Sequence, residues 1–418
     1  MKEDNRLSKV EILIQQKKYS DAEKFLSDLL AEDANNIHLL SLLAEINFQQ
    51  YNFDKANNII DNAIGLSPDE PNLFYIKSRI ALQKDDFNAA ESLINQSIEL
   101  YPYDADYFAF LANIKLLRKQ FEESLVIANK ALAIDAENLS ALNTRSTALI
   151  KLNRSEESFN TIEGALRGDP NNAFTHANYG WGLLEKGDYT KALEHFKEAL
   201  SNDPTFEYAQ SGLLEALKAK NPIYRIFLKY AFWINNLTSN YQWGVIIVFY
   251  LGFRFLKSVA KNNESLQPIL IPIIIILSLL AFSTWVIVPI SNLFLRFNKF
   301  GQLLLSKKEK LSSSLVAISL LIFFIGIILY FVFLDNKILT IAAFGFSMMV
   351  PIGSMFSPTK NKNSLLIYTI SMAVIGILAI SLTFTTGEIF NSFTILYIFG
   401  FLAYQWVANY LIIKEGDN

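Results

Sequence analysis

The chain has no cysteine in its 418 residues. That excludes disulfides, thiolate nucleophiles and cysteine-bound metals, and leaves the redox compartment open. Histidine is nearly as scarce. His38, His176 and His195 stand far apart in the first half, and none follows. A Ser–His hydrolase or a histidine-bound zinc is therefore not expected in the second half. No glycine-rich loop ends in Lys-Ser or Lys-Thr, so a phosphate loop is absent as well. The start, Met1-Lys2-Glu3-Asp4-Asn5-Arg6, lacks an apolar run of signal-peptide length, and no cleaved leader is expected.

What is present is unevenly spread. Hydrophobic residues make up 51% and aromatics 13% of the chain. From residue 222 onward there are fourteen Lys and Arg against six Asp and Glu. Residues 1–221 hold 23 against 34. An acidic half thus precedes a basic, apolar half. The acidic half argues against nucleic acid, which needs a basic face. It favours a basic or neutral protein partner.

The first half repeats every 34 residues. Pro68, Pro102, Pro170 and Pro204 keep that step, with Ala136 in the missing place. Twelve residues before each comes a small one: Ala56, Ala90, Ser124, Ser158 and Ala192. Aromatics precede these at Phe53, Phe87, Phe121 and Tyr189, with Ser155 the exception. Further small positions recur at Ala44, Ser78, Ala112, Ser146 and Gly180, and at Ala63, Ser97, Ala131, Ala165 and Ala199. Helices approach closely only where side chains are tiny, and proline ends one helix while suiting the first turn of the next. One hairpin cannot bury its apolar face, so such units stack. Six copies fit residues 3–204. Thr205 to Ala219 reads as a helix that closes the stack.

The copy from Gly187 through Asp203-Pro204 resembles the tetratricopeptide repeat family, and the phase carries that resemblance over residues 3–219. The resemblance implies a superhelix of hairpins with a concave, partner-binding face. In the family, first-helix positions two, five, nine and twelve line that face. Carried onto this sequence, they nominate Glu45, Phe48, Tyr75, Arg79, Asn113, Asn143 and Trp181, with His38 beside them. Amides suit a peptide backbone and rings suit its side chains. The lysine set with which one subclass grips a C-terminal carboxylate is missing here.

Six apolar stretches follow, near 239–256, 268–294, 314–334, 338–356, 365–385 and 389–413. A bilayer core of ~30 Å needs about 20 apolar residues in a helix. The expected domains are repeats over 1–220, an interfacial helix over 221–238, and a transmembrane bundle over 239–418. If all six cross, one side receives Lys218, Lys220, Arg225, Lys229, Arg296, Lys299, Lys307, Lys308, Lys310, Lys360, Lys362 and Lys414. The other receives Arg254, Lys257, Lys261 and Lys337. Basic loops stay on the cytoplasmic face, so the repeats and both termini are expected there. Arg254 reads as a snorkelling side chain. Gly326, Gly345, Gly376 and Gly400 suit close helix packing, and Gln405 and Asn409 suit interhelical hydrogen bonds.

The fold class expected is all-α: a repeat superhelix, then a six-helix transmembrane bundle. The function expected is a membrane-anchored scaffold that binds protein or peptide partners and needs no cofactor or metal. The bundle is expected to meet the bilayer and a membrane-protein partner. The alternative is a transporter or lipid-handling protein regulated by its repeats, because six spans exceed what an anchor needs. Catalysis is not expected, since no nucleophile, base or metal constellation is found.

Overall fold

We describe a computed structural model over residues 2–297, 301–357 and 363–415. Lys299, Lys360 and Lys362, counted above for orientation, lie outside the described residues, as does the side chain of Lys414. The described residues are all-α, with no strand among them. The chain forms two compact units, Met1–Asn178 and Tyr179–Asn418.

The first unit is a run of hairpins. They pair α1 (Lys2–Gln15) with α2 (Tyr19–Glu32) and α3 (Ile37–Gln49) with α4 (Phe53–Leu66). Next come α5 (Pro71–Gln83) with α6 (Phe87–Leu100), and α7 (Ala105–Leu117) with α8 (Phe121–Ile134). α9 (Leu139–Lys151) and α10 (Ser155–Gly168) follow, and α11 (Ala173–Lys186) begins in this unit. Asn36, Asp86, Asp104 and Asn138 cap their helices by accepting from a backbone amide two or three residues on. The repeated small residues mark the crossing points. Ser78 Oγ donates to the Ala90 carbonyl at 2.6 Å, and Ser124 Oγ to the Ala112 carbonyl at 2.8 Å. Ser146 and Ser158 share a hydroxyl contact of 2.7 Å. A serine here is thus a small residue that also bonds across the hairpin. Between crossings, Leu26, Ile60, Ile94 and Ile162 are fully buried, again 34 apart or a multiple of it. Each contributes about 1.5–3 kcal/mol by burial.

One periodic feature escapes a hydrophobic reading. Lys17, Tyr51, Asp85, Lys119 and Asn153 have φ between 58° and 62°, and Gly187 continues the series at 88°. Each residue that follows donates its amide to the carbonyl five residues back, as Asp86 does to Ala81 at 3.0 Å. This is the six-to-one bond that closes a helix through a left-handed residue. Only the last copy uses glycine, so five copies tolerate strain that composition does not reveal.

The second unit opens with the rest of α11, then α12 (Tyr189–Asn202), α13 (Glu207–Lys218) and α14 (Pro222–Asn235). Phe196 stands where other copies carry Leu, Ile or Ala, and its ring needs more room. A Cβ on Gly180 would lie 2.8 Å from that ring, and one on Gly212 would lie 2.1 Å from it. Two glycines thus make the pocket for one phenylalanine.

After α15 (Ser239–Asn262) come α16 (Gln267–Leu295), the short α17 (Gly301–Leu304), α18 (Lys307–Phe333), α19 (Leu339–Ser354), α20 (Ser364–Thr386) and α21 (Ser392–Glu415). Among the described residues five helices are long and apolar enough to cross a membrane: 240–262, 264–295, 307–333, 336–354 and 364–386. The core of this bundle gathers Val286, Val316, Met348, Met349 and Met372 around Phe282 and Phe346, whose rings stack at 4.1 Å. The four span glycines lie at tight approaches. A Cβ on Gly326 would meet the Ala342 backbone at 2.6 Å, and one on Gly345 the Phe323 backbone at 2.5 Å. Among the described residues, interhelical hydrogen bonds come from residues other than Gln405 and Asn409. Tyr397 bonds Ser347 at 2.7 Å, Tyr404 bonds Ser354 at 2.8 Å, and Tyr368 donates to the Gly400 carbonyl.

Candidate functional site

The first unit brings four of the nominated residues together. Arg79 on α5 donates to Glu45 on α3 through both guanidinium nitrogens, at 2.8 and 3.1 Å. The two lie one repeat apart, so the 34-residue step itself places them side by side. Below this fork the guanidinium stands 4.6 Å from the Phe48 ring centre and 5.5 Å from that of Tyr75. Such a cation over rings adds roughly 0.5–2 kcal/mol. The planar fork is held by two carboxylate bonds and two aromatic faces, and it loses little further freedom when a partner arrives.

Tyr75 extends the patch along the repeats. Its ring meets Tyr107 at 5.3 Å and Phe110 edge-on at 5.5 Å. Burial raises the Tyr75 phenol above its ordinary range and pushes Tyr107 up to about 12. Both stay neutral in ordinary buffers and can serve as donors. Tyr107 and Phe110 were not nominated, because they occupy first-helix positions that usually pack. Their signal was the aromatic density of Tyr107-Phe108-Ala109-Phe110.

Asn113 follows Arg79 by one repeat. It is half-buried, and no hydrogen bond to its side chain occurs among the described residues. It is the nominated amide with capacity to spare. Asn143 has none. It is 3% exposed. Its amide donates to the Leu139 carbonyl and to Thr175 Oγ1, both at 2.9 Å. Asn178 in turn donates to the Asn143 carbonyl at 3.1 Å, and Thr147 donates to Asn178 Oδ1. These polar rungs join consecutive repeats. Trp181 lies in the second unit, donating Nε1 to the Tyr208 carbonyl at 3.2 Å. Its ring sits against Phe196, Tyr208 and Phe232.

Charges on the second helices also link repeats. Glu91 on α6 accepts from Lys115 of α7 at 2.9 Å and from Arg118, just past the end of α7, at 2.6 Å. Burial works against the charged carboxylate, yet these two hydrogen bonds outweigh it and hold Glu91 below the usual carboxylate range. A depressed carboxylate stabilises the fold above its unfolded pKa and loses that contribution as pH falls through the folded value. Glu91→Gln is therefore expected to lower stability by about 1 kcal/mol at pH 7, after allowance for partial exposure. The deficit should shrink below about pH 4. Urea melts of both proteins from pH 7 to pH 3 check this. A deficit independent of pH would refute the assignment.

In the second unit, α14 has two faces. Tyr224 and Leu228 are buried, while Ile223, Ile226, Tyr230 and Trp233 form an exposed apolar stripe. Arg225, though exposed, bonds the Ala219 carbonyl at 2.6 Å and lies over the Tyr189 ring. Lys218, counted above among the basic residues of one face, is buried and paired with Glu215 at 2.8 Å. Leu214 and Leu217 of α13 pack with Leu295, Leu304 and Leu305 from the end of α16 through α17.

Stacked helical hairpins with small residues at their crossings define a repeat protein of the solenoid class. Residues 173–206 match the family model described as Tetratricopeptide repeat. The front of the chain is thus a tetratricopeptide repeat segment, the phase of 34 carrying the assignment across its other copies. Among solved structures, YrrB, a TPR protein "with an unusual peptide-binding site", is 17% identical, with 44% of this chain and 96% of that chain covered (TM-score 0.33). A tetratricopeptide repeat protein from Parabacteroides merdae is 18% identical, with coverage of 50% and 81% (TM-score 0.44). A thermophilic TPR protein from Thermus thermophilus is 16% identical, with coverage of 43% and 98% (TM-score 0.41). No curated protein matches the chain.

Proposed function

We propose that the protein is a membrane-anchored scaffold that binds a protein or peptide partner on the concave face of its repeats, on the cytoplasmic side. Tetratricopeptide repeats are protein-interaction modules, and that supports the general role. The observation that carries the finer reading is the Glu45–Arg79 fork set over Phe48 and Tyr75, with the open amide of Asn113 one repeat on. Rigid rings and a fixed guanidinium next to an open amide are the composition of an interface hot spot. Five long apolar helices support the anchor. The stripe on α14, Ile223 to Trp233, suits the headgroup boundary between soluble and embedded parts. The reading is of a binding protein and not an enzyme, on the ground that no acid, base or metal constellation stands out in the sequence.

The alternative, a transport or lipid-handling bundle with regulatory repeats, draws on the number of those helices, since a single one would hold the protein in place. Co-purification of the full-length chain in mild detergent separates the two. Partners should be recovered with the native protein and reduced about tenfold or more by Tyr75→Ala with Asn113→Ala, the scale of one hot-spot truncation. A partner set unchanged by that pair, with the fold intact, would refute the groove. Arg79→Ala is a poorer probe, because it also leaves Glu45 unpaired.

A further inference from the structure

Where α16 ends and α18 begins, the second unit holds a cavity of about 580 Å³ that the groove reading does not use. It is lined by Leu293 near the end of α16, Arg296 and Phe297 just beyond it, Gln302 of α17 and Lys310 of α18. Its size lies within the roughly 300–1,000 Å³ typical of small-ligand sites. Two cations face it, and among the described residues no carboxylate lines it. Glu309, next to Lys310 in sequence, is turned to its helix start. Its carboxylate accepts from the Ser306 amide at 2.8 Å, and its own amide donates to Ser306 Oγ. Among the described residues neither Arg296 nor Lys310 has an acidic partner. Arg296 is instead positioned by a neutral one, donating to Ser314 Oγ at 2.6 Å. Ser314 in turn donates to the Lys310 carbonyl at 2.9 Å. One hydroxyl thus ties the guanidinium to the turn that carries the second cation.

Two uncompensated cations, a side-chain amide and two apolar walls describe an anion site at the edge of hydrocarbon. We propose that this cavity binds a phosphate group, with Arg296 and Lys310 supplying charge and Gln302 a neutral donor. Arginine matches phosphate through its planar fork, and lysine adds a point charge. Leu293 and Phe297 would cover the apolar part of a phospholipid, whose headgroup is one source of that phosphate. A soluble phosphate is the other. Basic pockets between spans are suited to anionic headgroups. The inference rests on the reading that α15 through α21 occupy a bilayer.

The test uses the full chain in vesicles of phosphatidylcholine with and without phosphatidylglycerol, followed by native mass spectrometry from mild detergent. The protein should retain phosphatidylglycerol over phosphatidylcholine by about tenfold or more, the scale of two basic groups at an anionic surface. Arg296→Gln with Lys310→Gln should abolish that preference. Lys307→Gln with Lys308→Gln changes net charge equally outside the cavity and should not. Arg296→Lys should keep most of the preference. Loss of retained lipid on adding inorganic phosphate assigns the site to a soluble phosphate, and no loss assigns it to the lipid. A chain that does not float with vesicles overturns the bilayer reading and the site with it. A chain that floats, but whose cavity variant retains lipid as the control pair does, overturns the site alone.

Discussion

A leucine at position 345 is expected to pry apart α18 and α19 and to cost the protein more than any other single change in the bundle. A Cβ built on Gly345 would lie 2.5 Å from the Phe323 backbone nitrogen and 2.7 Å from the Ser319 carbonyl oxygen. Those atoms belong to the helix itself and cannot swing away. The helices must separate, and the dispersion contacts of the surrounding core then fall off steeply. Overpacking typically costs 1–3 kcal/mol, and a backbone clash lies at or beyond the upper end, about 3 kcal/mol or more. Two further glycines grade the effect. A Cβ on Gly376 would meet the Phe344 ring at 2.3 Å, but a ring can turn, so Gly376→Ala should cost less. Gly244 has nothing within 4 Å, and Gly244→Ala should be neutral or slightly stabilising. Thermal midpoints in detergent should fall in the order Gly345→Leu, Gly345→Ala, Gly376→Ala, Gly244→Ala. Equal midpoints for Gly345→Ala and Gly244→Ala would show that the close approach is not real.

That ranking illustrates what a sequence can and cannot disclose. Small residues at repeated or mid-span positions announce that something comes close. They do not say whether the neighbour is a backbone or a movable ring. In the repeats, the period of 34 nominated Glu45 and Arg79 separately, and the fold pairs them because a stacked solenoid sets residues one period apart against each other. The same period nominated Asn143 and Trp181 as partner-binding residues. There, adjoining polar and aromatic residues compete for their hydrogen-bonding groups. Thr175 and Asn178 take the amide of Asn143, and the Tyr208 carbonyl takes the indole of Trp181. Position is periodic, but satisfaction of a polar group depends on neighbours that vary from copy to copy. The left-handed turn residues show the opposite limit. Their spacing is regular, yet Lys, Tyr, Asp, Lys and Asn carry no shared chemistry that would mark them.

The junction after the last repeat was the least readable stretch. Lys218 was one basic residue among many, and basic residues near spans are normally solvated. Only the fold reveals that α13 turns it inward against Glu215, with Tyr224 1% exposed beside them. The Tyr224 hydroxyl donates to the other Glu215 oxygen at 2.6 Å, and the Lys218 ammonium lies 5.8 Å from the Tyr224 ring centre. Burial, and then the negative charge of Glu215, raise the Tyr224 phenol well above its ordinary value, so it remains a donor.

Glu215→Leu should therefore be among the most damaging changes outside the bundle. It removes the acceptor of two buried donors and leaves an ammonium without a counter-charge. Breaking a buried pair from one side costs about 3–5 kcal/mol. Glu215→Gln keeps an acceptor for Tyr224 but not the charge, and should fall between Glu215→Leu and the native protein. The informative variant is the double one. Lys218→Met in the Glu215→Leu background removes the stranded charge and replaces the pair with apolar side chains, which is often close to neutral. The double variant should then be more stable than Glu215→Leu alone by about 2 kcal/mol or more, the coupling expected of residues in one network. Chemical melts of the four proteins, followed by the fluorescence of the five tryptophans, give the cycle. If the two changes simply add, Lys218 finds solvent or another partner when Glu215 is gone, and the pair within α13 is not coupled. If they couple as expected, one carboxylate neutralises the buried Lys218 within α13 and, through the Tyr224 hydroxyl, ties α13 to α14.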